Sequence, residues 1–95
     1  MQQSDLVAAS ADVVACDLAG GAALLDLRSN TYFSLNEVGA RAWGLIGEPT
    51  RLSDVRDSLV ARYDVSPARC YDDLVALFTK LADAGLVSVQ DAAGP

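Results

Sequence analysis

The stretch Leu24 to Trp43, LLDLRSNTYFSLNEVGARAW, leaves the chain little choice of architecture. An extended segment turns at Ser29-Asn30, a second extended segment runs from Thr31 to Leu35, and a helix follows with almost no loop. Asn36 is a good N-cap, and Glu37 falls in the first turn, beside the positive end of the helix. A strand, a tight turn, a strand and a helix are thus coupled without a spacer. The second strand is short and carries two adjacent aromatics, Tyr32 and Phe33, in a chain with little catalytic equipment.

The hairpin register can be weighed in advance. A two-residue Ser29-Asn30 loop would oppose Asp26 to Phe33 and mix acid with apolar groups on one face. A three-residue loop, Arg28-Ser29-Asn30, opposes Leu25 to Phe33 and Ala23 to Leu35. It also puts Asn30 at the left-handed position such loops require, which asparagine tolerates. The three-residue loop is the expectation, with Leu25, Leu27, Phe33 and Leu35 forming one apolar face. Val13 to Leu18 reads as a preceding strand, Ala19-Gly20-Gly21 as its turn and Ala22 to Leu27 as the strand after it, which completes an antiparallel meander.

Helical periodicity takes over beyond Asn36. Val38, Ala42, Leu45 and Ile46 fall on one stripe, with Trp43 at its border; Gly47 and Pro49 end that helix. A second helix starts near Ser53, with Leu52, Val55, Leu59 and Tyr63 on one face. Ser66-Pro67 is an N-cap followed by proline at the first helical position, and opens a third helix that runs to about Ala84 before Gly85. Leu86 to Val89 reads as extended. The fold class expected is α+β and winged-helix-like: a three-stranded antiparallel sheet followed by three helices, with room for a short C-terminal strand. Residues 1–12, small and polar, are expected to be a flexible N-terminal tail, 13–90 the domain and 91–95 a C-terminal tail.

Composition narrows the function. The chain has 95 residues, is 52% hydrophobic and carries a net charge of −6, which suits one small globular domain and opposes a phosphate-binding role. Anionic membrane surfaces are disfavoured for the same reason, and no run approaches the roughly eighteen apolar residues of a membrane span. No Lys or Arg precedes Arg28, so the basic start of a secretory signal is missing, and a cytoplasmic location is expected. Histidine is absent, which removes the commonest general base and most zinc sites. Gly20-Gly21 lacks the spacing of a phosphate loop. Cys16 and Cys70, far apart in sequence, read as small buried apolar groups. No reaction, cofactor or metal is expected.

What remains is binding surface. On the third helix Tyr71, Leu74, Phe78 and Leu81 make a stripe fit for the core, while Cys70, Leu77 and Ala84 lie on another side, beside Asp73 and Lys80. A small domain usually needs one apolar stripe per helix. From the pattern alone, a wide core stripe is the preferred reading over surface reserved for a ligand. The strand Thr31-Tyr32-Phe33-Ser34-Leu35 carries no proline and no charge. If it is a sheet edge, an edge that is merely short and an edge that receives a peptide strand are equally good readings.

The segments LLDLRSNTYFSLNEVGARAWGLI, LVARYDV and DDLVALFTKLADAGLV resemble the PqqD-like family, the leader-peptide recognition elements of ribosomally made and modified peptides, over about Val13 to Val89. The similarity is greatest to the stand-alone members of lasso-peptide biosynthesis. Asn30 stands where such sequences often have glycine. The resemblance implies a leader peptide bound by strand addition between the third strand and the third helix. It further implies peptide contacts from Thr31, Tyr32, Phe33, Ser34, Leu35, Cys70, Asp73, Leu74, Leu77 and Leu81. The partners it implies are the precursor leader, a leader peptidase resembling transglutaminases, and an ATP-dependent macrocyclase. Recognition for a radical or cyclodehydrating maturase would use the same groove. A winged-helix DNA-binding role is opposed by the third helix, which sets Asp72, Asp73 and Asp83 against Arg69 and Lys80.

Overall fold

A computed structural model of the protein describes residues 1–91. The strands are β1 (Leu6–Ala9), β2 (Val13–Leu18), β3 (Gly21–Asp26), β4 (Thr31–Asn36), β5 (Thr50–Arg51) and β6 (Val87–Gln90); the helices are α1 (Glu37–Leu45), α2 (Leu52–Arg62) and α3 (Pro67–Asp83). The expected α+β order holds, with the meander β2-β3-β4 ahead of the three helices and a short strand at the C-terminal end. A second sheet, β5-β1-β6, was not foreseen. The core joins the two sheets and three helices through Val7, Leu24, Leu35, Ala42, Ile46, Leu52, Val55, Leu59, Leu74, Phe78, Leu81 and Leu86.

The N-terminal segment is not a tail. β1 lies between β5 and β6, pairing Val7 with both Thr50 and Val89, and Val7 is fully buried. The cause is the start of α2. Arg51 provides no side-chain cap, and a helix start leaves N–H groups without intrahelical partners. The N-terminal segment supplies them: Leu52 N–H donates to the Asp5 carbonyl and Ser53 N–H to the Gln3 carbonyl, each at 2.9 Å. Tyr71 on α3 adds a hydroxyl bond to the Met1 carbonyl at 3.0 Å. The expected C-terminal tail at 91–95 lies outside the described residues from 92 onward.

The β3–β4 register also differs from expectation. Asp26 faces Thr31, Leu24 faces Phe33 and Ala22 faces Leu35, so four residues, 27–30, form the turn. Leu24 and Leu35 point to the core, Phe33 packs against it, and Leu27 is exposed; Leu25, opposite Tyr32, falls on the outer face. The shift follows from Asp26, whose side chain is almost fully covered. Its carboxylate accepts from the Arg28 N–H at 3.0 Å and the Ser29 hydroxyl at 3.1 Å, while its carbonyl accepts from Asn30 N–H at 2.8 Å. An acid on the inner face is tolerable once hydrogen-bonded, and here the acid organises the turn. Asn30 does take the left-handed conformation, φ 58°. Gly21 opposes Asn36, and a Cβ there would press into the Leu35 carbonyl oxygen and come within 3.2 Å of Asn36 Cα. Glycine thus lets β3 and β4 close.

Within the meander β3 is central and β4 is one edge. β2, the other edge, is exposed over almost its whole length. Cys16, expected to be buried, is exposed there, because β2 is an edge strand with neither face covered beyond the half-buried Val13. Cys70 is buried as expected.

Candidate functional site

The turn after β4 places its free edge beside the helical layer. Asn36 caps α1, its Oδ1 accepting from Gly39 N–H at 2.8 Å, so the chain bends from strand to helix within one residue. Ser66 caps α3 in the same way, accepting from Arg69 N–H at 3.3 Å, which starts α3 directly after the short Tyr63–Val65 connection. Between these two capped starts lies a cleft of about 550 Å³, within the range of small-ligand sites. One wall is Ser34, Leu35 and the start of α1 at Val38-Gly39; the other is Cys70, Asp73, Leu74 and Leu77 on α3. Leu59 and the Tyr63-Asp64-Val65 connection close the back.

The lining is mostly apolar, with Asp64 and Asp73 exposed at the rim. Burial raises the Cys70 thiol pKa, and the nearby Asp73 carboxylate raises it further. The sulfur therefore stays protonated at neutral pH and presents a small apolar group to the wall of the cleft. Among the described residues no group of three or more His, Cys, Asp or Glu is placed to hold a metal ion. Nor is any described helix long and apolar enough to cross a membrane.

Of the residues expected at a peptide site, Ser34, Leu35, Cys70, Asp73, Leu74 and Leu77 meet at this cleft. Thr31, Tyr32 and Phe33 lie further along β4. Tyr32 is 70% exposed on the outer face of the sheet, and Phe33 packs inward against the core. Leu81 is 1% exposed; it sits one turn beyond Leu77, where α3 has closed onto the core. Val38, Leu59, Tyr63, Asp64 and Val65 line the cleft without having been foreseen there. Val38, Leu59 and Tyr63 lie on the apolar stripes of their own helices, and helical periodicity does not separate a residue that ends in the core from one that ends at a groove.

β4 has β3 on one side and, among the described residues, no strand on the other. Its last residues, Ser34 to Asn36, line the cleft. An extended chain entering it would find main-chain hydrogen-bonding groups on one wall and an apolar helix face on the other.

A family model described as "Coenzyme PQQ synthesis protein D (PqqD)" matches residues 21–87. The solved structure "TbiB1 in Complex with the TbiA(beta) Leader Peptide" is 32% identical, with a TM-score of 0.77 over 85% of this chain and 94% of that one. "Lasso peptide synthetase B1 complexed with the leader peptide" is 26% identical, with a TM-score of 0.74 over 86% of this chain and 96% of that one. No curated protein sequence matches.

Proposed function

The chain belongs to the PqqD family, and from that premise we propose that it is a non-catalytic recognition element for the leader peptide of a ribosomally made precursor, a lasso-peptide precursor in the first instance. The leader adds as a strand to β4 and lays alternate side chains into the cleft against α3. The observation that carries this reading is the conjunction of an unpaired strand edge with an apolar cleft along it. Main-chain bonding to the edge supplies affinity that depends little on sequence, and the cleft between Leu35, Leu74 and Leu77 selects apolar side chains. The leader structures of the two similar proteins support the same reading.

The chemistry of the pathway then belongs to partners. The protein, working in the cytoplasm, holds the leader and delivers it to a leader peptidase of transglutaminase-like type, ahead of an ATP-dependent macrocyclase. The test of the binding mode is backbone amide exchange with and without the leader peptide of a cognate lasso-peptide precursor. Protection is expected at Thr31–Leu35 and along the exposed flank of α3. Protection confined to other segments, or no binding by that leader, refutes the proposal.

A further inference from the structure

Three loops meet at the end of the molecule where β4 begins. The β1–β2 connection brings Asp12, whose carbonyl accepts from Leu27 N–H at 2.9 Å. The β3–β4 turn brings Arg28. The α3–β6 turn brings Gly85, at φ 81°. The Arg28 guanidinium joins all three. Its Nη2 donates to the Gly85 carbonyl at 2.7 Å, and its Nε lies 3.4 Å from Asp26 Oδ1 and 3.6 Å from Asp12 Oδ2. Gly85 leaves just enough room, since a Cβ there would stand 2.9 Å from Nη2.

The position of this junction relative to the cleft gives it a consequence. β4 runs from Thr31, beside the junction, to Asn36 at the cleft. α3 runs the opposite way, from Cys70 at the cleft to its end just before Gly85. The two walls of the groove are therefore antiparallel, with the cleft at the Asn36–Cys70 end and the tie at the Arg28–Gly85 end. The side-chain tie joins residues 57 apart in sequence, beside a backbone path through the β1–β2 connection, where Leu27 N–H donates to the Asp12 carbonyl and Ser10 N–H to the Leu86 carbonyl, each at 2.9 Å. It joins the sheet turn to the helix end without entering the cleft.

We infer that Arg28 is a positioning residue for the peptide site: its bridge from the β3–β4 turn to the Gly85 carbonyl holds β4 at a fixed distance from α3, so the groove is already formed when a leader arrives. This rests on the reading of the cleft as a leader site. A preformed groove saves the ordering of a wall on binding. Asp26 and Asp12 aim the guanidinium by fixing its Nε side, which leaves Nη2 directed at the helix end. The contact is partly exposed, so losing it costs a small share of global stability, while the freedom it returns is concentrated in β4.

The experiment compares the wild-type protein with Arg28→Ala, Arg28→Lys and Gly85→Ala. Two quantities are read: amide exchange at Thr31–Leu35 in the free protein, and the Kd for a fluorescent form of a cognate lasso-precursor leader peptide. Arg28→Ala is expected to speed exchange in β4 selectively and to weaken the leader by roughly 3- to 10-fold, the scale of one partly exposed charge-assisted hydrogen bond. Arg28→Lys keeps one donor and recovers part of both effects. Gly85→Ala displaces the guanidinium from the other side and also strains a left-handed backbone position; the strain persists without Arg28, while the guanidinium share is lost, so its effect in combination with Arg28→Ala is less than additive. Unchanged β4 exchange in Arg28→Ala, exchange raised equally throughout the chain, or additive effects of the two alanine variants overturn the inference. If wild-type protein fails to bind the leader, the leader reading falls, while the exchange of free Arg28→Ala still decides whether Arg28 ties the walls.

Discussion

Leu77→Asp puts the groove to its most direct trial. Leu77 is half-buried, packed on one side against the core and open on the other to the cleft. Complete burial of a leucine contributes about 1.5–3 kcal/mol, so roughly half of that, about 0.7–1.5 kcal/mol, remains to be gained when a peptide covers it. Aspartate forfeits the gain and adds a carboxylate that must shed water beneath the peptide, about 1–3 kcal/mol if it finds no donor. Rotation of the shorter side chain toward the rim relieves part of this second contribution. The net loss expected is about 1–3 kcal/mol, or roughly 5- to 150-fold in Kd. The fold loses only the half of the burial already made, about 1 kcal/mol, which a domain of ordinary stability survives. Fluorescence anisotropy with labelled leader measures the affinity, and thermal unfolding measures the fold. A Kd within twofold of wild type in a folded variant would place Leu77 outside the peptide site. A variant that does not fold would return Leu77 to the core.

Two further outcomes follow from the same geometry. Cleavage of the precursor by its leader peptidase should be slow alone and much faster with this protein at micromolar substrate, because tethering raises the local concentration toward the millimolar range, about that of a short flexible link; equal acceleration of a leader that cannot bind here would refute the delivery role. Asp26 should leave a mark on acid unfolding. The Arg28 N–H bond, opposed by desolvation and aided by the Ser29 hydroxyl and the Arg28 charge, holds its pKa below the ordinary 3.8. The folded pKa is the lower one, so its stabilisation is fully present above that ordinary value and disappears as pH falls through the folded value. Asp26→Asn should therefore flatten the loss of stability in the window below pH 3.8, as followed by circular dichroism, and parallel curves for the two proteins would show that the turn does not use the charge.

The parts legible in the sequence were those written in neighbouring residues. Asn36, Ser66-Pro67 and Gly85 punctuate the helices because capping chemistry acts over three or four residues. The left-handed Asn30 was legible for the same reason. The register was misjudged by one residue because a buried acid was weighed as a cost alone, without the three hydrogen bonds that its own turn returns to it. β1 was missed because nothing in Leu6–Ala9 announces a strand; its partners lie more than forty residues away at Thr50–Arg51 and at Val87–Gln90. The cleft was half legible. The surplus apolar side of α3 and the unguarded edge of β4 were visible separately, but Tyr63-Asp64-Val65 reaches the site only through the packing of α2 on α3.

The pairing of β1 with β6 also determines when the molecule can be complete. Leu6 meets Gln90 and Ala9 meets Val87, so β1 leaves the ribosome well ahead of β6 and waits for it. At about 5–20 residues per second, the intervening synthesis lasts several seconds. During that interval the β2–β3–β4 meander and α1, joined by short loops, can assemble from local contacts, while Val7 has no finished sheet to enter. β4 thus belongs to the part of the chain able to form early, and β1 and β6 close together as the last step. Fraying follows the same coupling in reverse: when β6 peels away, β1 loses its longest partner, and the carbonyls of Gln3 and Asp5 that complete the start of α2 are released with it.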